Sequence, residues 1–324
     1  MSVVAEAASA AAVDRAGIAT VDTGFQRPGF DASHLIVENG RGAFVDCGTT
    51  YSVPNLLAAL QDNALAPHDV DWLILTHVHL DHAGGAGALM RALPNARMAV
   101  HPRGAPHMID PSKLIAGATA VWGAEAMARD YGEIVPVPAE RVRVVEDGDT
   151  LQLAGRALQF VDTPGHARHH HCIWDERSGA WFTGDTLGLS YRDFDSARGA
   201  FVLPTTSPSQ FEPEPLKDSI RRLLQRKPRA AYLTHYGRVD EVERLAADMI
   251  EQIDAMVAFA RRAQAETGDR DARHARLCAA LADYYVERLL AHGTPMSEAT
   301  ARAMLADEVE VNAQGLEFWL DRGG

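Results

Sequence analysis

Directly after an apolar run of strand length, Asp71-Trp-Leu-Ile-Leu-Thr76, the chain places His77, His79, Asp81 and His82 within six residues, and a Gly84-Gly85 pair follows. Alternate residues of an extended chain point the same way. His77, His79 and Asp81 can therefore share one side while Val78 and Leu80 turn toward a core. His82 needs a change of backbone direction, which a loop entering a helix supplies. The two glycines would let the backbone pass close to whatever the side chains hold. Imidazole and carboxylate together suit zinc, manganese or iron. The competing reading is a polar surface loop, but four ligand-type side chains abutting a buried strand argue for a metal site.

Three further signals are weak alone and gain weight from their shared position at strand ends. His166 closes the turn Asp162-Thr163-Pro164-Gly165-His166 after an apolar run ending Phe160-Val161. Asp185 ends the run Phe182-Thr183-Gly184. His235 follows Leu233-Thr234.

Around these positions the chain alternates strand and helix signals. Ile18–Val21, His34–Val37 and Ala43–Asp46 read as strands, the last two joined by the turn at 38–42. Helical segments are expected at Asn55–Leu60, Ala83–Ala92 and Leu216–Gln225, with strands at 96–101, 141–161, 171–175, 180–184 and, last, 230–234. Residues 103–133 break the rhythm with apolar residues at helical spacing and read as a helical insertion. From about 240 onward alanine- and arginine-rich helical periodicity takes over. The expected organisation is a loose tail at 1–14, a core domain at 15–240 containing the insertion, and a helical extension at 241–324. Alternation early and helices late place the core in the α/β class.

Composition excludes some roles. A net charge of −13 argues against a dedicated nucleic-acid binder. Three widely spaced cysteines give no disulfide framework, and they fit a reducing compartment. The alanine-rich start lacks a basic segment and Glu6 interrupts its apolar run, so it reads as a tail rather than a signal peptide. No stretch reaches membrane-spanning length without charges. The expectation is a cytoplasmic protein with a small-molecule substrate, no nucleic-acid or membrane partner, and a monomeric or homodimeric state.

The ordered set His-x-His-x-Asp-His, then His, Asp and His, resembles the metallo-β-lactamase superfamily over roughly residues 15–240. The resemblance implies an αβ/βα sandwich with a metal pair at one sheet edge. It implies that one ion takes His77, His79 and His166, that the other takes Asp81, His82 and His235, and that Asp185 bridges them. Two divalent transition-metal ions are expected, zinc first, with manganese or iron as alternatives, activating a bridging hydroxide. Asp81 is the expected catalytic residue, orienting the nucleophile and relaying a proton.

Asp185 and the helical extension make the chain more similar to glyoxalase II-like thioesterases and lactonases than to true metallo-β-lactamases. The expected reaction is hydrolysis of a thioester or lactone. Rivals are a small phosphodiester hydrolase, a mononuclear-iron persulfide dioxygenase and a sensor with a vestigial site. His169, Tyr191 and Arg192 are candidate substrate contacts. Met108, Trp122, Met127, Tyr284, Tyr285 and Trp319 could line a pocket, although core packing is the commoner role for such residues. His34, His68, His101, His107, His274 and His292 have no partners in the pattern and read as structural or exposed.

Overall fold

The computed structural model describes residues 12–324. Of the expected tail, residues 1–11 lie outside the described residues. At its described end the Asp14 carboxylate accepts hydrogen bonds from the Ala16 and Ile18 N–H groups and from the Tyr232 hydroxyl.

Two six-stranded mixed sheets face each other. The first runs in sequence order through β1 (Ile18–Asp22), β2 (Ala32–Glu38), β3 (Arg41–Val45), β4 (Val70–Ile74), β5 (Arg97–Val100) and β6 (Val142–Val144). Its first three strands are antiparallel neighbours and the remainder pair in parallel. The second holds β7 (Thr150–Leu153), β8 (Arg156–Asp162), β9 (His171–Asp175), β10 (Ala180–Gly184), β11 (Ala230–Leu233) and β12 (Gly237–Val239) in the spatial order 12-11-10-9-8-7. Only β10 and β11 pair in parallel there. The strand β12 lies beyond the last strand read from sequence. It is three residues long and carries an exposed Arg238, too little apolar pattern to signal a strand.

Among the described residues, eleven α-helices connect and cover the sheets. They are α1 (Val53–Asp62), α2 (Leu80–Ala83), α3 (Ala86–Ala92), α4 (Ala105–Ile109), α5 (Ser112–Trp122), α6 (Ala124–Ala126), α7 (Pro213–Leu224), α8 (Val242–Glu266), α9 (Arg270–His292), α10 (Glu298–Met304) and α11 (Ala306–Asp321).

The period of two along each strand divides the apolar residues between faces. Ile36, Val45, Ile74 and Ala99 point inward and meet Leu158, Phe160, Ile173 and Phe182 of the other sheet. Leu35, Phe44, Leu73 and Met98 point outward beneath Leu56 and Leu60 of α1 and Leu89 and Met90 of α3. On the outer face of the second sheet, Val161, Trp174 and Trp181 pack against Leu223 of α7. The four C-terminal helices bury a separate apolar cluster with the 187–203 segment, α7, Leu233 and Val239. This is the αβ/βα sandwich with a C-terminal helical region.

Two local readings are corrected by the structure. The helix expected over 83–92 is broken into α2 and α3 at Gly84-Gly85. A Cβ on Gly85 would fall 2.4 Å from the Thr49 carbonyl oxygen, so this glycine serves the loop after β3 rather than a held ion. Three of the residues expected to line a pocket do not. Met108 joins the core under the first sheet, and Tyr285 is buried against Asn312 in the helical region. Trp122 is exposed, whereas Trp319, with Arg261 over its ring, lines a cavity beside α7 and α8.

At one end of the sandwich two buried histidines stitch the sheets together. The His34 Nε2–H on β2 donates to the Leu233 carbonyl at 3.1 Å, and the His171 Nε2–H on β9 donates to Leu75 at 2.7 Å. Burial pushes both down from 6.5 to about 4. Their unfolded forms take up protons below pH 6.5 while the folded forms do not. Their stabilisation is therefore present above 6.5 and lost as pH falls through about 4. Each is expected to contribute roughly 3 kcal/mol of this loss. Urea midpoints measured from pH 7 to 4 should fall less steeply in His34→Asn and in His171→Asn than in the parent; parallel curves would contradict the assignment.

Candidate metal centre

Four segments deliver their polar side chains to the stitched end. The strand β4 stops at Ile74, and the chain stays extended through His79, which puts His77 and His79 on the same side. The turn into α2 then swings Asp81 and His82 toward them. His166 follows β8, Asp185 follows β10, and His235 follows β11. The first shared feature is burial: His77, His82, His166, Asp185 and His235 are all buried.

The seven residues form two groups. One donor atom from each of His77, His79, His166 and Asp185 lies within 4.8 Å of the others, and the same holds among Asp81, His82 and His235. His79 Nδ1 stands 2.9 Å from His77 Nε2 and 3.1 Å from His166 Nε2. Asp185 faces both groups with different oxygens. Its Oδ2 is 3.2 Å from His166 Nε2 and 3.9 Å from His77 Nε2. Its Oδ1 is 3.2 Å from His82 Nε2 and 3.8 Å from His235 Nε2. Asp81 Oδ2 completes the second group at 3.4 Å from His235 Nε2 and 3.6 Å from His82 Nε2.

The donor set fits divalent cations. His82 Nε2 and Asp185 Oδ1 are buried without a hydrogen-bond partner despite their proximity. Such orphaned groups are costly in a protein interior unless something charged or polar completes them. Burial, reinforced by neighbouring imidazoles, holds His77 well below its ordinary range and brings His79 to about 3. Burial likewise lowers His166. All three are neutral at pH 7 with lone pairs free for a cation. His235 behaves in the opposite way. Burial would lower it, yet Asp185 and Asp81 raise it to about 10. A proton there stands in the place a metal ion would take.

A buried shell orients these side chains. His82 Nδ1–H donates to Asp46 Oδ2 at 2.9 Å. The same carboxylate accepts from the Thr76 N–H and hydroxyl and from the Thr234 hydroxyl. Asp46 thus ties the ends of β3, β4 and β11 to one imidazole. His166 Nδ1 meets the Thr205 carbonyl at 3.2 Å, and His235 Nδ1 meets Phe30 at 3.1 Å. The Asp185 N–H donates to His170 Nε2 at 3.1 Å. Between them, Gly184 has φ +47°, and a Cβ there would sit 2.6 Å from His170 Nε2 and 2.7 Å from the Thr76 hydroxyl. Only glycine lets the chain turn Asp185 inward.

The three substrate candidates go to different places. The His169 ring lies 6.1 Å from His77 and 5.5 Å from His79, at the border of the first group. Tyr191 is buried, stacked at 5.3 Å on Phe30, and its hydroxyl donates to Glu308 of α11 at 2.6 Å. The Arg192 guanidinium folds back onto the Ser190 carbonyl and hydroxyl and onto Asp195. Sequence reasoning missed Asp46, His170, Phe30 and Glu308. Asp46 had the one available signal, an acid at the end of an apolar strand, as at Asp185.

An aromatic ladder flanks the second group. Tyr131 of the insertion packs on Phe25 at 5.4 Å, Phe25 on Phe30 at 5.8 Å, and Phe30 on both Tyr191 and the His235 ring.

Comparison with known proteins agrees with this architecture. The sequence model of the metallo-β-lactamase superfamily matches residues 27–235. The chain belongs to that superfamily. It is 27% identical over 204 residues to a metallo-β-lactamase fold-containing protein of Sulfurisphaera tokodaii, covering 60% of this chain and 72% of that protein. It is 28% identical to the hydroxyacylglutathione hydrolase of Aeromonas hydrophila, over 49% of this chain and 48% of the relative. It is also 28% identical to an atrochrysone carboxyl ACP thioesterase of Aspergillus fumigatus, over 49% of this chain and 38% of the relative. The chain thus spans about half or less of the length of these two hydrolases. The crystal structure of an archaeal superfamily protein from Sulfolobus tokodaii superposes with a TM-score of 0.66 at 21% identity, over 93% of this chain and 98% of that one. No helix among the described residues is long and apolar enough to cross a membrane.

Removing the carboxylate behind His82 should loosen cation binding without emptying the site. Asp46→Asn is expected to lower metal affinity by roughly 10- to 100-fold, read by competition with a chromophoric chelator. Unchanged affinity would show that Asp46 serves the strand ends alone.

Proposed function

We propose that this chain is a dinuclear metal-dependent hydrolase of an ester-like carbonyl compound, with a thioester as the favoured class and a lactone as the alternative. The observation that carries the reading is the division of Asp185 between two donor sets, Oδ2 toward His77 and His166 and Oδ1 toward His82 and His235. His77, His79 and His166 would hold one ion; Asp81, His82 and His235 the other. Two hydrolases among the relatives, one a thioesterase by name, support the substrate class.

Zinc ions at these positions would supply Lewis acidity toward the carbonyl oxygen and lower the pKa of an attacking water. The Asp81 side chain is a quarter exposed beside the buried His82 and His235, so its carboxylate, with His79 of the first group, is open to an arriving substrate. Burial would raise it, but His82 and His235 hold it below the usual carboxylate range. An ionised Asp81 can accept the proton of the attacking water and return it to the leaving thiolate or alkoxide. Tyr131, Phe25 and Phe30 would face the apolar part of the acyl group, with Tyr191 buried behind Phe30, and His169 would border it from the other side. The core over 15–240 would carry the chemistry. The extension over 241–324 would close it through the Glu308–Tyr191 bond.

Purified protein is expected to hold two zinc ions in this centre per chain and to cleave thioesters in preference to lactones and phosphodiesters. Asp81→Asn should lower kcat by about 10²- to 10⁴-fold. Element analysis with a substrate panel on one sample checks this. A single iron and no hydrolysis would replace the proposal with an oxidative reaction.

A further inference from the structure

Far along the chain from the metal centre, α9 and α11 pack side by side and bring three donors of different softness together. His274 and Cys278 lie one helical turn apart on α9, a spacing that places both on the same face. Glu310 faces them from α11. One donor atom from each lies within 4.8 Å of the others. His274 Nε2 is 3.1 Å from Glu310 Oε2 and 3.4 Å from Cys278 Sγ, and Sγ is 3.9 Å from the same carboxylate oxygen.

The surroundings of these three are arranged as metal ligands are usually supported. Glu317 Oε2 accepts from His274 Nδ1 at 3.1 Å, which turns Nε2 toward Cys278 and Glu310. Glu317 is itself buried and fixed by Arg273 at 3.1 Å through its other oxygen. Gln314 donates to Glu310 Oε1 at 2.7 Å, leaving Oε2 for the cluster. A carboxylate behind the histidine and an amide behind the carboxylate fix ring and ligand orientation in metal sites. His274 and Glu310 keep 29% and 48% of their side-chain surface exposed, so an ion can enter and solvent can fill a fourth position.

We propose that His274, Cys278 and Glu310 form a second metal site, for one zinc-like divalent ion, that clips α9 to α11. One thiolate, one imidazole and one carboxylate suit zinc, cobalt or nickel and disfavour magnesium and calcium, which prefer oxygen-only shells. On binding, the ion replaces the Nε2 proton of the His274 imidazolium and the thiol proton of Cys278, and both protons pass to solvent. The site lies on the helix that also carries Glu308, the partner of Tyr191 beside the catalytic centre.

The Cys278–His274–Glu317 alignment also has the order of a nucleophile, base and orienting acid. Two observations weigh against that use. Glu310 competes for the same imidazole nitrogen. Burial, then Glu310 and Glu317, push the thiol up to about 11, so it is protonated at neutral pH.

The test uses the full-length protein loaded with cobalt(II). A thiolate-to-cobalt charge-transfer band is expected in the near ultraviolet, since the seven residues of the catalytic centre include no cysteine and Cys47 and Cys172 are fully buried. The band should vanish in Cys278→Ser and persist in His79→Ala. In a second measurement, zinc at 100 times its dissociation constant should slow alkylation of Cys278 by roughly a hundredfold. A folded, cobalt-saturated protein without the band, a band that survives Cys278→Ser, or alkylation indifferent to zinc would each overturn the site. Rapid alkylation at neutral pH that zinc leaves unchanged would favour the nucleophile instead.

Discussion

The structure depends on one buried carboxylate shared between two sets of imidazoles. Asp185 lies where five histidines and a second aspartate converge, and each of its oxygens faces a different set. Such a concentration of polar groups is unfavourable in a low-dielectric interior unless charge is balanced across it. The balance is geometric: three neutral imidazoles, His77, His79 and His166, stand on the Oδ2 side, and His82, His235 and Asp81 on the Oδ1 side. Positive charge supplied between the sets would satisfy both oxygens at once.

The two sheets make that convergence possible. Their inner faces bury Ile36, Ile74, Phe160 and Phe182, and at the site end the interior becomes polar, laced by His34, His171 and Asp46. Asp46 is the hinge of this arrangement. It accepts hydrogen bonds from two strand-end threonines and a ligand histidine, so a displacement of any one strand is transmitted to the imidazole. The C-terminal helices add a second core, shared with the 187–203 segment, α7, Leu233 and Val239, and reach the centre through polar contacts that include Glu308 to Tyr191 and Asn312 to Thr206. An ion clip between α9 and α11 would stiffen the element from which those contacts project.

Much of this was legible from residue order. The apolar run before His77 signalled a strand, the alternation His77, Val78, His79 signalled a shared polar side, and both are present. The histidine run at 169–171 shows where such reading stops. Sequence singles out His169 as a candidate contact and leaves the other two as strand residues, yet His169 borders the histidine cluster, His170 supports the Asp185 backbone, and His171 stitches the sheets. Their roles follow from which way each faces at the junction into β9, and that depends on the register with β8 and β10. His274 was read as unpartnered because its partners, Glu310 and Glu317, lie some forty residues away on another helix. Glu308 carried no signal for the same reason.

By itself the sequence determined the donor types available to the site, the α/β alternation and the positions of strand ends, because these rest on residue type and on periodicities of two and 3.6 that act over a few neighbours. Only the tertiary structure decided the rest. It chose which oxygen of Asp185 faces which histidines, it placed Asp46 behind His82, and it turned the Tyr191 hydroxyl toward α11 instead of toward the histidine cluster. These outcomes depend on how distant segments dock, and docking is selected by burial summed over whole faces rather than by any local pattern.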